Sequence, residues 1–451
     1  MESSRTLSPQ LLPIFAAVVL SLLPAASRSE EPLTPLGPEV QLNEHTAGGQ
    51  SMPNLANHAG GFVVVWSSVD AYGYTPSTVR GRRFDPGLVP LGEEFQVSAP
   101  LSTIEEFGAD VGAWDDESFV VVWARDVANS EIRAQIYDAS GSPQGEPLEV
   151  ADTESLVGYP RVEVGEGDFL VLWSSTSSES EQGVFPGDGD GLSVQARRFS
   201  SDGQSLGTIF QVNSYTPGDQ TQPRAARLED GSAWVVFRDF QGAGGSEEVQ
   251  SVKVRRLAPG GVPTGADFQV NESTTGVALR PRISAASDGS FVVAWTSGVL
   301  ELTEDAAIAR RWGPGPVPLP LGDQFRVTQQ KLRSSASEVV HLPDDGFLIV
   351  WEQSEGAPNP FVSDIAVGRF GSDGNRIGDD FTVNTLTTGF QYGAQVAEGP
   401  AGEYLLVWQS EASAGDDQDG SIQGRLFRFE DAIFSDDFES GDAQAWSPPA
   451  P

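Results

Sequence analysis

Two short runs in this sequence have the residue types and spacing to hold a hard cation. Asp188-Gly-Asp-Gly191 and Asp416-Asp-Gln-Asp-Gly420 place carboxylates close together ahead of a glycine. Oxygen ligands set this way can converge on calcium, so the candidate ligands are Asp188, Asp190, Asp416, Asp417 and Asp419. Neither run adds the distal acidic ligand of a dedicated calcium loop, and solvated acidic loops are the plain alternative. Other chemistry is sparse. There is no cysteine, which excludes disulfides, thiolate metal sites and cysteine nucleophiles. His45, His58 and His341 lack metal-ligand spacing, and no Gly-x-Ser-x-Gly elbow, phosphate loop or His-Glu-x-x-His occurs. Paired carboxylates for glycoside hydrolysis need only meet in space, and among 64 acidic residues no pair stands out. From its residues alone the chain is expected not to be an enzyme.

The elements that must carry any such group repeat along the chain. Seven segments share an acidic or glycine turn followed by an apolar run that ends in an aromatic. They are 61–66, 118–123, 168–173, 233–237, 290–295, 346–351 and 403–408, and they close on Trp66, Trp123, Trp173, Phe237, Trp295, Trp351 and Trp408. Successive closing aromatics lie 57, 50, 64, 58, 56 and 57 residues apart, a period that signals a propeller or a solenoid. Each period holds four strand-like pieces, a to d, as in 280–286, 291–295, 306–312 and 323–328. Strand b is apolar at nearly every position, as expected when sheets cover both its faces. The Asp-Gly pairs at 230–231, 288–289, 202–203 and 373–374 are hairpin signals for the a–b and c–d turns.

The ends of the chain decide between ring and solenoid. A strand-d copy, 36–43, precedes the first strand a, while the last period ends after strand c. A ring uses this offset, with the N-terminal strand completing the last blade and removing both open sheet edges. The expected fold is therefore all-β, a seven-bladed β-propeller of four-stranded antiparallel blades over 36–430. Meandering blades put the a–b and c–d turns on one rim and the longer, more acidic b–c and d–a loops on the other. The closing aromatics are expected in the core. The strand-c arginines, such as Arg82, Arg197, Arg255, Arg310 and Arg425, are expected to pair with carboxylates of neighbouring strands or blades.

Residues 1–27 read as a signal peptide: Arg5, an apolar stretch from Leu11 to Leu23, then Ala25-Ala26-Ser27 before Arg28. Residues 28–35 read as a linker and 431–451 as a terminal tail. A secreted or cell-surface protein is expected, monomeric and without a membrane span. The formal net charge of −37 speaks against nucleic acid as a partner and leaves an extracellular protein or a glycan.

The full repeat, Pro-x-Val-Ala, Asp-Gly-Ser-Phe-Val-Val-x-Trp, Ala-Arg-Arg-Phe and Phe-Gln-Val-Asn in turn, resembles repeats of exported bacterial proteins grouped with integrin-like (FG-GAP-type) propellers. That resemblance implies a propeller and, through the Asp-Gly-Asp-Gly run in the b–c loop, a metal role confined here to the third and seventh blades. The stretch 433–446 is similar to a short sequence near the C-terminus of many exported bacterial proteins. The leading expectation is a non-enzymatic extracellular binding or adhesion scaffold presenting acidic loops, with calcium as its cofactor. The alternatives are a secreted polysaccharide hydrolase or lyase using loop carboxylates, and a structural surface component.

Overall fold

The computed structural model describes residues 33–429 apart from 70–76, 99–104, 127–129, 154–159, 181–182, 186, 241–249, 273–275, 299–304, 330–332, 355–361 and 412–419. The segments read as signal peptide and tail lie outside the described residues. Among the described residues all regular structure is β, in seven antiparallel sheets, and no helix is long and apolar enough to cross a membrane.

Each sheet is one blade. Blade one runs Gln50–His58 (a), Gly61–Val69 (b), Ser77–Phe84 (c) and Phe95–Gln96 (d). Blade seven runs Gln391–Glu398, Glu403–Ser410 and Ser421–Phe429, and its outer strand comes from the other end of the chain. That strand is in two pieces, Leu33–Pro35 against Phe429, Arg428 and Phe427, and Val40–Gln41 against Gly424 and Gln423. Every strand a packs on strand a of the next blade, and that of blade seven returns to blade one. The ring is closed.

The core lies between blades. Seven apolar clusters are each shared by two consecutive blades, and one of them joins Leu405, Val407 and Ile422 of blade seven to Leu42, Phe62 and Trp66. The seven strand-b aromatics are buried to 2% exposure or less, so the repeat of closing tryptophans is packing. The buried indoles are also bonded where it matters: Trp66 donates to Gln50 Oε1 (3.0 Å) and Trp408 to Gln391 Oε1 (3.1 Å).

Two motif positions turn out to be staples. Arg82, Arg197, Arg255, Arg310 and Arg425 of strand c donate to the carbonyls of Leu42, Val150, Val212, Val270 and Val383, at the outer strand of the preceding blade, over 2.5–3.1 Å. The expected carboxylate pairing is present beside this backbone clasp, as in Arg82 with Glu44, Arg310 with Glu272, Arg198 with Asp168 and Arg369 with Asp344. The asparagine ending Phe-Gln-Val-Asn accepts a strand-c amide: Ile422 N–H on Asn43 Oδ1, Val194 on Asn213, Val252 on Asn271 and Ile365 on Asn384, each at 2.8–2.9 Å. The side chain takes over where the ladder stops, which satisfies a buried donor.

Strand d is six or seven residues long in blades two, four and six but only two in blades one, three and five. In the fifth blade only Phe325–Arg326 pair regularly, after an isolated bridge from Trp312 to Pro320. Proline and glycine at Pro320 and Gly322 (φ +136°) interrupt the ladder, and such short edges blunt pairing with other chains.

Candidate active site

Strand a lines the central channel. In six blades its pairing with strand b slips by one residue near its start. The extra residue is a β-bulge, which bends the strand and re-aims the side chains beyond it. Five bulges carry a residue in the left-handed region: Met52 (φ 56°), Gly108 (65°), Gln222 (57°), Arg280 (50°) and Gly393 (67°). Glycine takes that conformation freely, whereas Met52, Gln222 and Arg280 hold it under strain.

The first residue after each slip occupies one register position, opposite the residue before the closing aromatic. These are Asn54, Asp110, Arg224, Arg282, Glu338 and Gln395, and in blade three Arg161 opposite Leu172 takes the same place. The seven blades thus contribute one polar ring. Two residues further on come Ala56, Gly112, Glu163, Ala226, Ser284, Val340 and Ala397, mostly small or apolar, bordering a channel cavity of about 420 Å³. Gly112 is required there, because a Cβ would come within 2.5 Å of Val164 Cγ1 in the next blade.

Ring members clasp their neighbours. Asn54 Nδ2 donates to Ala109 O (2.7 Å), Asp110 accepts from Val162 N–H (3.0 Å), and Arg282 Nε donates to Ser337 O. Arg161 lies 3.7 Å from Asp110 and Arg282 lies 3.5 Å from Glu338. Arg224 makes no hydrogen bond or ion pair among the described residues, although it borders both the channel and the cavity above it.

That second cavity, about 640 Å³, opens at the channel mouth on the rim of the b–c and d–a loops. Arg161, Arg224, Arg280 and Arg282 enter it from blades three, four and five, and Glu352, Tyr392 and Glu411 from blades six and seven. Glu352 accepts from Gly393 N–H (2.7 Å) and lies 3.4 Å from Arg280. The Tyr392 hydroxyl donates to Glu411 Oε1 (3.2 Å) and accepts from Gln409 Nε2.

Burial dominates the titration of these groups. It pushes the Asp110 carboxyl up to about 6, against the opposing pull of Arg224 and of the Val162 amide. It pushes Glu163 well above the usual carboxylate range, with the charge of Asp110 adding to the rise. Glu338 is raised by the same cause, and Arg282 and Arg224 oppose it. The Tyr392 phenol is raised by burial and then by Glu411, so it keeps its proton at neutral pH.

Of the acidic runs singled out in the sequence, Asp188 and Asp190 line neither cavity. Asp188 Oδ2 accepts from Gln211 (3.2 Å) and Asn213 (3.4 Å), and Asp190 Oδ2 accepts from Gly218 N–H (3.4 Å). Among the described residues no three His, Asp or Glu side chains form a group able to hold a metal; Asp416, Asp417 and Asp419 lie outside them. Part of the long blade-three loop is a hairpin, Ser178–Ser180 with Gly183–Phe185, which extends blade two by pairing Thr153 with Ser178. The ring residues carried a signal of their own. Pro53-Asn54, Pro160-Arg161, Pro223-Arg224 and Pro281-Arg282 put a polar residue at one fixed place in strand a, always before an apolar one.

No family model matches the chain, and no curated protein matches it in sequence. Solved structures do. A protein of unknown function from Dyadobacter fermentans is 10% identical with a TM-score of 0.53, over 88% of this chain and 99% of that one. An α-L-arabinofuranosidase of Fusarium graminearum is 10% identical with a TM-score of 0.46, over 89% and 98%. A sialidase from Streptococcus pneumoniae is 9% identical with a TM-score of 0.46, over 86% and 70%. These likenesses are of fold. The seven-bladed ring itself rests on the sheet order and blade packing above, and the integrin-like type is not among the proteins these matches name. The expectation of a non-enzymatic scaffold, and with it the expectation of no enzyme, is corrected by the same matches. Proteins named as arabinofuranosidase, arabinanase and sialidase are among those matched; the missing sequence motif is no ground for excluding catalysis. The physical reason is that a propeller assembles its site from single residues on separate blades, which no local motif records.

Proposed function

We propose that the chain is a glycoside hydrolase acting at the channel mouth. The observation that carries this reading is the meeting, in one cavity of about 640 Å³, of Glu352 with the hydrogen-bonded Tyr392–Glu411 pair. Cleavage of a glycosidic bond needs one group to activate water or attack the anomeric carbon, and another to protonate the leaving oxygen. Glu352, fixed by Arg280 and the Gly393 amide, is the base: it takes a proton from water as the C–O bond breaks. The Tyr392–Glu411 pair shares a proton and delivers it to the departing oxygen. The arabinan-cleaving enzymes and sialidase among the fold matches are in keeping with this reaction class.

The test is a screen of polysaccharides for new reducing ends, followed by Glu352→Gln and Glu411→Gln. Each substitution is expected to lower kcat/KM by about 10²–10⁴-fold with the melting temperature unchanged. A panel with no cleaved glycan, or variants as fast as the parent, would overturn the reading.

A further inference from the structure

Several junctions between blades share one contact. A strand-a amide, two residues before the polar ring position, is received by the residue after the closing aromatic of the preceding blade. Ser67 Oγ takes Gly108 N–H (3.2 Å), Thr296 Oγ1 takes Ala336 N–H (3.1 Å) and Glu352 Oε1 takes Gly393 N–H (2.7 Å). Where blade seven meets blade one, Gln409 Oε1 takes Met52 N–H (3.2 Å). A hydroxyl is enough for this duty, so the far end of Gln409 is spare. That end is Nε2, and it donates to the hydroxyl of Tyr392, the residue opposite Gln409 in the a–b ladder.

The amide cannot turn round. A backbone N–H only donates, so the atom of Gln409 facing Met52 is the oxygen and the atom facing Tyr392 is the nitrogen. A side-chain NH2 only donates as well. The phenol oxygen therefore accepts from Gln409, and its single hydrogen is left for Glu411 Oε1 at 3.2 Å. Gln409 is buried to 4% exposure. Beside it, a Cβ on Gly420 would come within 3.1 Å of Nε2, so glycine keeps that place clear.

We infer that Gln409 is a positioning residue for the mouth: held by the bulge of blade one, it turns the Tyr392 hydroxyl so that its hydrogen is given to Glu411. The left-handed backbone of Met52 (φ 56°) thereby has a use, since the bulge brings its N–H to Gln409. Burial, then Glu411 and Glu352, raise the Tyr392 phenol, and the hydrogen bond from Gln409 opposes them, as a donor on the oxygen should. The benefit to catalysis rests on the hydrolysis proposed above. The direction of the hydroxyl does not.

Carbon-13 NMR of the tyrosine Cζ atoms reads the hydroxyl without any substrate, with the Tyr392 signal assigned by its loss in Tyr392→Phe. Gln409→Ser installs the hydroxyl that already serves at Ser67; it keeps an acceptor for Met52 N–H and is too short to reach Tyr392. It is expected to shift the Tyr392 signal and to lower kcat on the glycan found by the screen by up to about 10²-fold, with KM and melting temperature little changed. Gln409→Glu is the sharper variant. Its carboxyl accepts from Met52 N–H at any pH, donates to Tyr392 only while protonated, and competes for the tyrosine hydrogen once ionised. Its Tyr392 signal and its kcat are expected to match the parent's at low pH and to depart from them as the pH rises through the titration of that carboxyl. A Tyr392 signal unmoved in both variants, or a kcat lowered equally at every pH in Gln409→Glu, would overturn the inference and leave Gln409 as a junction residue only. Should one variant not fold, the other carries the test through the same signal. A moved signal in a protein that cleaves no glycan would sink hydrolysis alone. Cleavage with kcat unchanged in both variants would sink the positioning role and leave hydrolysis standing.

Discussion

Asp110 is pulled in two directions. Arg161 at 3.7 Å and the Val162 amide favour its charged form, while the enclosing channel and the nearby carboxyl of Glu163 oppose it, and enclosure wins with a value of about 6. The consequence for stability has a definite sign. Between its unfolded value near 4 and about 6, the folded chain binds more protons at this group than the unfolded chain does. Its contribution is therefore fully present at low pH and lost as the pH rises through about 6. Asp110→Asn removes that dependence and keeps an acceptor for Val162 N–H. The melting temperature of the variant minus that of the parent should grow more positive from pH 4 to pH 7. A difference that is flat or shrinks across this window would show that Arg161, Arg224 and Arg282 hold Asp110 ionised throughout.

The bulge in strand a is the element that builds the site, since it turns a strand beginning into a ring of inward polar groups. Its cost is visible in Met52, a left-handed residue whose side chain is 38% exposed and makes little of its size. The amide of Met52 still bonds Gln409 Oε1 (3.2 Å), so the backbone is needed and the side chain is not. Met52→Gly is expected to stabilise the fold by about 0.5–1 kcal/mol, read as a raised melting temperature. A lower one would mean that Gln409 depends on the methionine and not on its backbone. The same bulge explains what the sequence left obscure. Strand b was legible because burial on both faces leaves an unbroken apolar run with a closing tryptophan. The ring was half-legible: Pro223-Arg224 and Pro281-Arg282 recur in phase, but a polar residue in strand a reads as solvent-facing until the slip in register is known. Glu352 follows the closing aromatic of blade six and Glu411 follows strand b of blade seven, and only the packing of these neighbouring blades brings them to one cavity. The acidic loop of blade three drew attention by composition alone, and its Asp188 is spent on Gln211 and Asn213.

Closure is a property of the whole molecule, and the offset of strand types at the two ends already implied it. Leu42 is fully buried between blades seven and one, in the cluster with Phe62, Trp66 and Ile422. Its amide donates to Ile422 O (2.8 Å), its carbonyl accepts from Arg82 (3.1 Å), and Asn43 Oδ1 takes the Ile422 amide (2.9 Å). A chain beginning at residue 44 would lose all of these and leave strand c of blade seven as an open edge. The Leu42 side chain alone is worth about 2–5 kcal/mol on truncation to alanine, and an orphaned amide at Ile422 adds about 1–3 kcal/mol. Since domains of this kind have only about 5–15 kcal/mol in total, the shortened chain should melt far below one beginning at residue 33 and aggregate through the exposed edge. Leu42→Ala in the longer chain separates the packing share from the pairing share. If the two lengths melted together, the outer strand would be an ornament and blade seven would be stable with three strands. Tyr392 and Glu411 sit on that blade, so loss of closure would also be expected to loosen their side of the mouth before that of Arg161 and Arg224.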